Sequence, residues 1–443
     1  MTLTILGCYL LVTAAGYFLR SLNLHHLKCH GAEIPTGFEE AVDAETLAKT
    51  SAYTVEQSRL GLVESLFDNA LLLLFLFGGL MVIYDNWIAS LSDSFIWGGV
   101  LFFLILSLGQ TLLDIPFSLY GTFRIENRYG FNTMSLKLWL ADLAKSTALS
   151  AVILTVMICG ALFLVRWSPG LWWLWVWGFF AVVSIFLLYI SPYLIEPLFS
   201  KFEPVRDEAL EQQIRALMEK AGLHVSRVMQ MDASRRSRHS NAYFTGIGRV
   251  KRIVLYDTLL TQMNRQEILA ILAHEVGHWK KGHVWKRLLM TEAGALLAIY
   301  AAFRLLQWGG VPGLIGLPQL SFSGQLVVLA FLSSVFLFPL TPLSSWLSRR
   351  HEWQADRFAV ELSGTPGALA TALVKLTREN LGNLHPHPLY AKVYYSHPPV
   401  VERVLRLREA AATGGISLDG PNQIPPEPPF PKGGNHLGMF GGR

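Results

Sequence analysis

Within the stretch ILAHEVGHWKKGH (271–283), His274, Glu275 and His278 spell H-E-x-x-H. On a helix, positions i and i+4 share a face, so both imidazoles can point at one metal ion while Glu275 stands beside an attacking water. Ile268, Leu269, Ile271, Leu272 and Val276 give that helix, read as 264–281, an apolar surface around the two histidines. The competing reading is a pair of surface histidines on an exposed helix. A catalytic zinc ion takes three protein ligands and keeps a fourth position open, so a third ligand has to come from elsewhere.

His283 is the nearest further histidine. A protease class with H-E-x-x-H-x-x-G-x-x-H needs glycine at 281 and histidine at 284, where this chain has Lys281 and Val284. On a continuous helix His283 also lies about 140° round from His278. It is read as a solvated or membrane-surface histidine. The segment RRHEWQADRFAVEL (349–362) offers Glu352 and Asp356 on one face of a predicted helix, with Ala355, Phe358 and Ala359 for packing. Glu352 can complete a His, His, Glu set, and Asp356 can accept a hydrogen bond from a ligand histidine and fix its tautomer. The competing reading is an ordinary charged helix. Cys8, Cys29 and Cys159 are scattered, which suggests neither a disulfide framework nor a thiolate site.

The elements that position these residues belong to a membrane protein. Of the 443 residues 52% are hydrophobic and 16% charged, and the mean hydropathy is +0.37, outside the balance of soluble domains. Seven stretches approach the roughly 20 residues that cross a bilayer: 3–19, 66–84, 95–113, 148–165, 171–190, 288–306 and 326–347. The first is read as a retained span, since no charged segment precedes it and no small-residue cleavage site follows it. Asp68 and Asn69 weaken the second, and Pro339 and Pro342 predict a kink or early end in the last. Asp68, Gln110 and Asp114 are expected to face protein or a wet cavity.

The net charge of +5 resides in the polar segments, where a membrane surface explains it better than nucleic acid, and no nucleic-acid-binding motif is present. Lys and Arg populate alternate loops. With seven spans this places the C-terminus and the segment 191–287 on the cytoplasmic side. The resulting division is spans one to five with their loops (1–190), a first catalytic part (191–287), spans six and seven (288–347), a second catalytic part (348–409) and a Pro- and Gly-rich tail read as disordered (410–443). In the first catalytic part, 207–221 reads as a helix and 227–232 and 252–255 as strands. The expected fold class is therefore an all-α polytopic membrane protein whose mainly helical metalloprotease domain carries a small β element.

Beyond the metal motif, IENRYGFN (125–132), SPYLIEPLFSKFEPV (191–205), HSNAYFTG (239–246), KRIVLYDTLL (251–260), EWQAD (352–356) and YSHPPVVER (395–403) are spread along the chain. Together they resemble the integral-membrane CAAX prenyl protease type 1 family. The resemblance implies one Zn2+ per chain on His274, His278 and Glu352, Glu275 as catalytic base, and Asp356 as partner of a ligand or proton donor. It also implies seven helices enclosing a chamber, and removal of the last three residues of a prenylated C-a-a-X tail. His397 resembles the family residue that reaches the site as an oxyanion donor; otherwise it is fixed in the turn before Pro398 and Pro399. Arg403 can support that geometry or substrate binding, or pair locally.

Asn241 precedes a run that alternates enough to be an edge strand, which would hold an extended peptide by main-chain bonds, with Asn241 as a substrate contact. A structural hairpin before Gly246 and Gly248 is the competing reading. His239 with Arg235, Arg236 and Arg238 is read as solvated charge or as contacts to lipid headgroups or a substrate carboxylate. The expected partners are a peptide or protein substrate, prenylated or otherwise membrane-associated, and membrane lipid. Two rivals stand beside this reading: quality-control proteolysis without lipid specificity, and a non-hydrolytic metal-binding scaffold or transporter, against which Glu275 speaks. The chain ends in FGGR with no dilysine or KDEL-type signal, so a bacterial inner membrane is expected ahead of the endoplasmic reticulum.

Overall fold

The computed structural model describes residues 1–245 and 250–413. Apolar runs form helices because a bilayer supplies no partner for an open backbone N–H or C=O. The first half comprises α1 (Thr2–His30), α2 (Ala44–Phe77), the short α3 (Leu80–Leu91), α4 (Phe95–Tyr120), α5 (Leu136–Trp167) and α6 (Trp172–Ile190). A small α7 (Glu196–Phe199) leads into β1 (Phe202–Pro204), α8 (Glu208–Lys220), β2 (His224–Met231), β3 (Ala242–Thr245), β4 (Val250–Tyr256), α9 (Asp257–Gln262) and α10 (Arg265–Lys280). The chain then forms the hairpin α11 (His283–Trp308) and α12 (Phe322–Leu337), and ends with α13 (Thr341–Ser363), α14 (Pro366–Glu379), α15 (Pro388–Tyr394) and α16 (Val400–Thr413).

Seven of these helical segments are long and apolar enough to cross a membrane. The expected run 66–84 is not one element. Gly78 and Gly79, the latter at φ 83, end α2 and restart the chain as α3, and the crossing helix instead reaches back to Ala44. Glycine adopts this left-handed conformation without the penalty a side chain would bring. The prolines expected to kink span seven do so: the 3-10 turn Phe338–Leu340 joins α12 to α13 around Pro339, and Pro342 opens α13. At the end of α4 the chain widens into a π-helical turn, Gly121–Glu126, that swings Glu126 towards His239, just before β3.

The sheet has the order β1-β2-β4-β3, with β2 and β4 parallel and both outer strands antiparallel to their neighbours. The two predicted strands fall on β2 and β4, and β3 is an edge that packs beside α10. A buried core of Ile214, Met218, Ile253, Leu255, Leu272 and Val276 binds sheet to helices, and Phe38 and Val42 from the α1–α2 loop and Leu47 from the start of α2 join it. A second core lies among the spans around Leu76, Met81, Phe102 and Phe331. Gly246 and Gly248, next to the expected hairpin, and the tail beyond Thr413 lie outside the described residues.

Candidate active site

Helix α10 starts at a reciprocal cap: Asn264 accepts from the Glu267 N–H at 3.0 Å, and Glu267 accepts from the Asn264 N–H at 2.9 Å. Glu267 is buried and also pairs with Lys375 of α14 at 2.8 Å. A helix so anchored presents His274 and His278 on one face toward α13. Gly277 makes the approach possible, since a Cβ there would sit 2.9 Å from Ala355 Cα of α13.

His274 Nε2 and His278 Nε2 lie 3.2 Å apart, and Glu352 reaches them with Oε2 at 3.4 Å and Oε1 at 3.3 Å. Three donors around a tetrahedral ion with bonds of about 2.0–2.1 Å would stand about 3.3–3.4 Å apart. The two nitrogens, each with a Glu352 oxygen at this spacing, therefore suit such an ion. Glu352 Oε2 is buried with no hydrogen-bond donor, as an oxygen reserved for a cation would be.

Behind the ligands the charges are matched. Asp356 Oδ1 lies 2.7 Å from His274 Nδ1, and Arg403 donates twice to Asp356, at 2.8 and 2.6 Å. Arg403 is 7% exposed, with Nη1 3.6 Å from Glu352 Oε2, so it lies against the two carboxylates and offers little open surface. Burial opposes the charged form of His274, but the Asp356 carboxylate outweighs it and raises His274 to about 9. Glu275 lies next to the triangle on α10, where burial lifts its carboxyl above the usual range, toward values suited to passing protons.

His283 is a correction. The sequence places it in solvent or at the membrane surface, yet it is 4% exposed, with Nδ1 3.1 Å from His278 Nδ1 and Nε2 2.9 Å from Gln354 Oε1. The 140° estimate assumed one helix. Instead α10 stops, Gly282 turns left-handed at φ 68, and α11 begins with His283 folded back on His278. If His278 offers Nε2 to an ion, its Nδ1 bears hydrogen; His283 Nδ1 then accepts, and His283 Nε2–H donates to Gln354.

His397 follows α15, exposed, with Nε2 3.4 Å from Glu352 Oε1. Its loop is held by Arg349, which donates to the carbonyls of Ala391 at 3.1 Å and Tyr395 at 2.7 Å, and by Ser345, which donates to Val393 O at 2.8 Å. Neither Arg349 nor Gln354 was singled out from sequence. Asn241 opens β3, exposed, and its carbonyl accepts the Tyr256 N–H at 3.1 Å. Its side chain folds onto the neighbouring Ala242 N–H at 2.8 Å.

Comparison with known proteins matches residues 23–201 to the family described as CAAX prenyl protease N-terminal, five membrane helices, and residues 204–411 to peptidase family M48. CAAX prenyl protease 1 of Saccharomyces cerevisiae is 31% identical over 415 residues, 86% of this chain and 89% of its own. The chain belongs to the CAAX prenyl protease 1 family. The Arabidopsis thaliana CAAX prenyl protease 1 homolog is 38% identical over 303 residues, 66% of this chain and 69% of its own. The crystal structure of S. mikatae Ste24p superposes with a TM-score of 0.82 at 30% identity, over 90% of this chain and 98% of that one. As a family member the chain is an integral-membrane metalloprotease, and the His274, His278, Glu352 group is its one cluster of metal-ligand type among the described residues.

Proposed function

We propose that this chain is a zinc endopeptidase that cuts near the C-terminus of prenylated or other membrane-associated peptides inside a chamber formed by its spans. The single observation carrying this reading is the His274, His278, Glu352 group, its two nitrogens 3.2 Å apart and each 3.3–3.4 Å from a Glu352 oxygen, closed by α10 and α13 from either side of the α11–α12 hairpin. His274, His278 and Glu352 would hold the ion; two nitrogens, one carboxylate and tetrahedral spacing favour zinc over harder cations. Zinc bound there supplies a Lewis acid for the scissile carbonyl and lowers the pKa of water.

The chain's own residues do the rest. Glu275 takes a proton from the attacking water and passes it to the departing amine. His397 donates to the carbonyl oxygen as negative charge gathers on it. Asp356 accepts from His274 Nδ1–H and Arg403 balances its charge, while His283 and Gln354 fix His278. We assign Asp356 to this supporting role because both its oxygens are taken by Arg403. The free edge of β3 pairs with an extended peptide, with Asn241 at its entry. Loop charges support a cytoplasmic position for the site.

Cleavage-site mapping on peptides with and without a farnesyl group tests the substrate. Loss of cleavage without the lipid supports the prenyl reading, and equal cleavage of both peptides assigns the chain to quality-control proteolysis. Glu275→Gln tests the chemistry: zinc stays at one per chain and turnover falls about 10²- to 10⁴-fold. Unchanged turnover removes the mechanism, and absence of zinc from the purified wild type removes the metal assignment.

A further inference from the structure

The motifs IENRYGFN and HSNAYFTG take no part in the metal site, yet they meet each other. Glu126, at the end of the π-helical turn, accepts from Tyr53 and Gln57 of α2 through Oε1, each at 2.6 Å. Its Oε2 lies 3.2 Å from His239 Nε2. On the opposite side of the ring, His239 Nδ1 lies 3.1 Å from Asn380 Oδ1, just beyond α14. The orientation of the Asn380 amide is fixed by the Ser240 backbone, whose N–H donates to Oδ1 at 3.2 Å and whose carbonyl accepts from Nδ2 at 3.5 Å. Both ring nitrogens of His239 therefore face acceptors. A neutral imidazole carries one N–H and satisfies one of them; an imidazolium satisfies both.

The packing agrees. Phe131 stacks on the His239 ring at 4.0 Å and 22°, a placement that favours a cation over a phenyl face. Ile125, Tyr129, Phe131 and Leu381 form a separate buried cluster around this point. Leu381 holds φ 48, the one left-handed non-glycine among the described residues, and so carries strain where Asn380 is presented to His239. The segment continues straight into Asn241 and β3. Its backbone is held by Thr258 Oγ1–H donating to His239 O at 2.9 Å and by the Ser240 hydroxyl bonded to Gln262.

We propose that His239, as an imidazolium bridging Glu126 and Asn380, is a positioning residue that sets the peptide-binding edge β3 against the membrane spans. This rests on the reading that β3 holds the substrate backbone. Glu126 is the charged group in contact with His239, the Tyr53 hydroxyl lies behind it, and of the neighbouring charges Arg236 pairs with Asp142 and Arg378 with Glu379. Burial works against the cation, but the Glu126 and Asn380 acceptors raise His239 above its ordinary value. A histidine so raised keeps its bridge at low pH and loses it as pH climbs through the raised value.

The test uses the full zinc-loaded chain and a fluorogenic farnesylated peptide. His239→Gln and Glu126→Gln each raise KM about 10-fold, and the double variant raises it no further, because both remove one bridge. Metal content and kcat stay near wild type. Wild-type KM rises as pH climbs through the raised His239 value, above that of an ordinary imidazole, that limb vanishes in His239→Gln, and Asn380→Asp, which adds a second carboxylate, moves it to higher pH. Unchanged KM in both single variants, or a limb unmoved in Asn380→Asp, overturns the proposal; the latter readout holds even where His239→Gln folds poorly. Peptides N-methylated at successive amides separate the two readings. Failure of every methyl to weaken wild-type binding rejects β3 as the substrate strand and the joint with it. Weakening in wild type together with normal KM in the variants rejects the joint alone.

Discussion

Gly277 of α10 and Ala355 of α13 touch backbone to backbone, so close that a methyl group on Gly277 would lie 2.9 Å from Ala355 Cα and 3.0 Å from Ala355 O. Helix propensity alone makes Gly277→Ala a gain of about 1 kcal/mol. Overpacking against a backbone costs about 1–3 kcal/mol and moves whole helices. The second effect wins at this contact, because neither neighbour is a flexible side-chain end. Gly277→Ala is expected to lower the melting temperature and weaken zinc binding by spreading His278 from Glu352. A melting curve at or above wild type would reverse that sign.

Arg403 and Asp356 form a buried bidentate pair at 2.6 and 2.8 Å. Removing one partner strands the other charge in the core, a loss of about 3–5 kcal/mol. Arg403→Met should show this loss in denaturant unfolding, and Arg403→Lys should recover little of it, since an ammonium cannot make both parallel bonds.

His283 offers a nitrogen to His278 Nδ1 at 3.1 Å. His283→Ala leaves that N–H unpaired and is expected to weaken zinc about 10- to 100-fold in chelator competition. The Oδ1 of asparagine falls near the position of histidine Nδ1, so His283→Asn should keep most of the affinity. Equal losses in both variants would mean that His283 acts through bulk rather than through this bond.

Chelation followed by zinc titration reads the Asp356 effect on His274. With its pKa at about 9, His274 carries a proton at neutral pH when no metal competes, and zinc has to displace it. The apparent affinity should fall about tenfold for each pH unit below that value from this group alone. Calorimetry in two buffers of different ionisation heat should detect the released proton near pH 7. Binding that strengthens as pH falls has the wrong sign for this coupling.

Much of this was legible because two periodicities are short-ranged. The i, i+4 face of α10, the shared face of Glu352 and Asp356, and apolar runs of crossing length depend on residues within a few turns. What escaped depends on backbone breaks. Gly282 at φ 68 folds His283 back onto His278, and Gly79 at φ 83 divides an apolar run between α2 and α3. In both places a glycine stands in the sequence, but composition does not tell a glycine that turns from one that merely packs, as Gly277 does. Likewise, the partners of Glu126 and His239 lie 73 and 141 positions away in the chain for Tyr53 and Asn380, beyond any local pattern. Arg349 was visible as a charge, while its role depends on two carbonyls offered by α15.

The placement of the ligands on either side of the α11–α12 hairpin also orders events in the life of the chain. A nascent polypeptide that has emerged as far as α10 carries His274 and His278 but neither Glu352, the proposed third ligand, nor Asp356, proposed to orient His274. The peptidase is therefore incomplete until two more spans have been inserted and α13 has docked across Gly277.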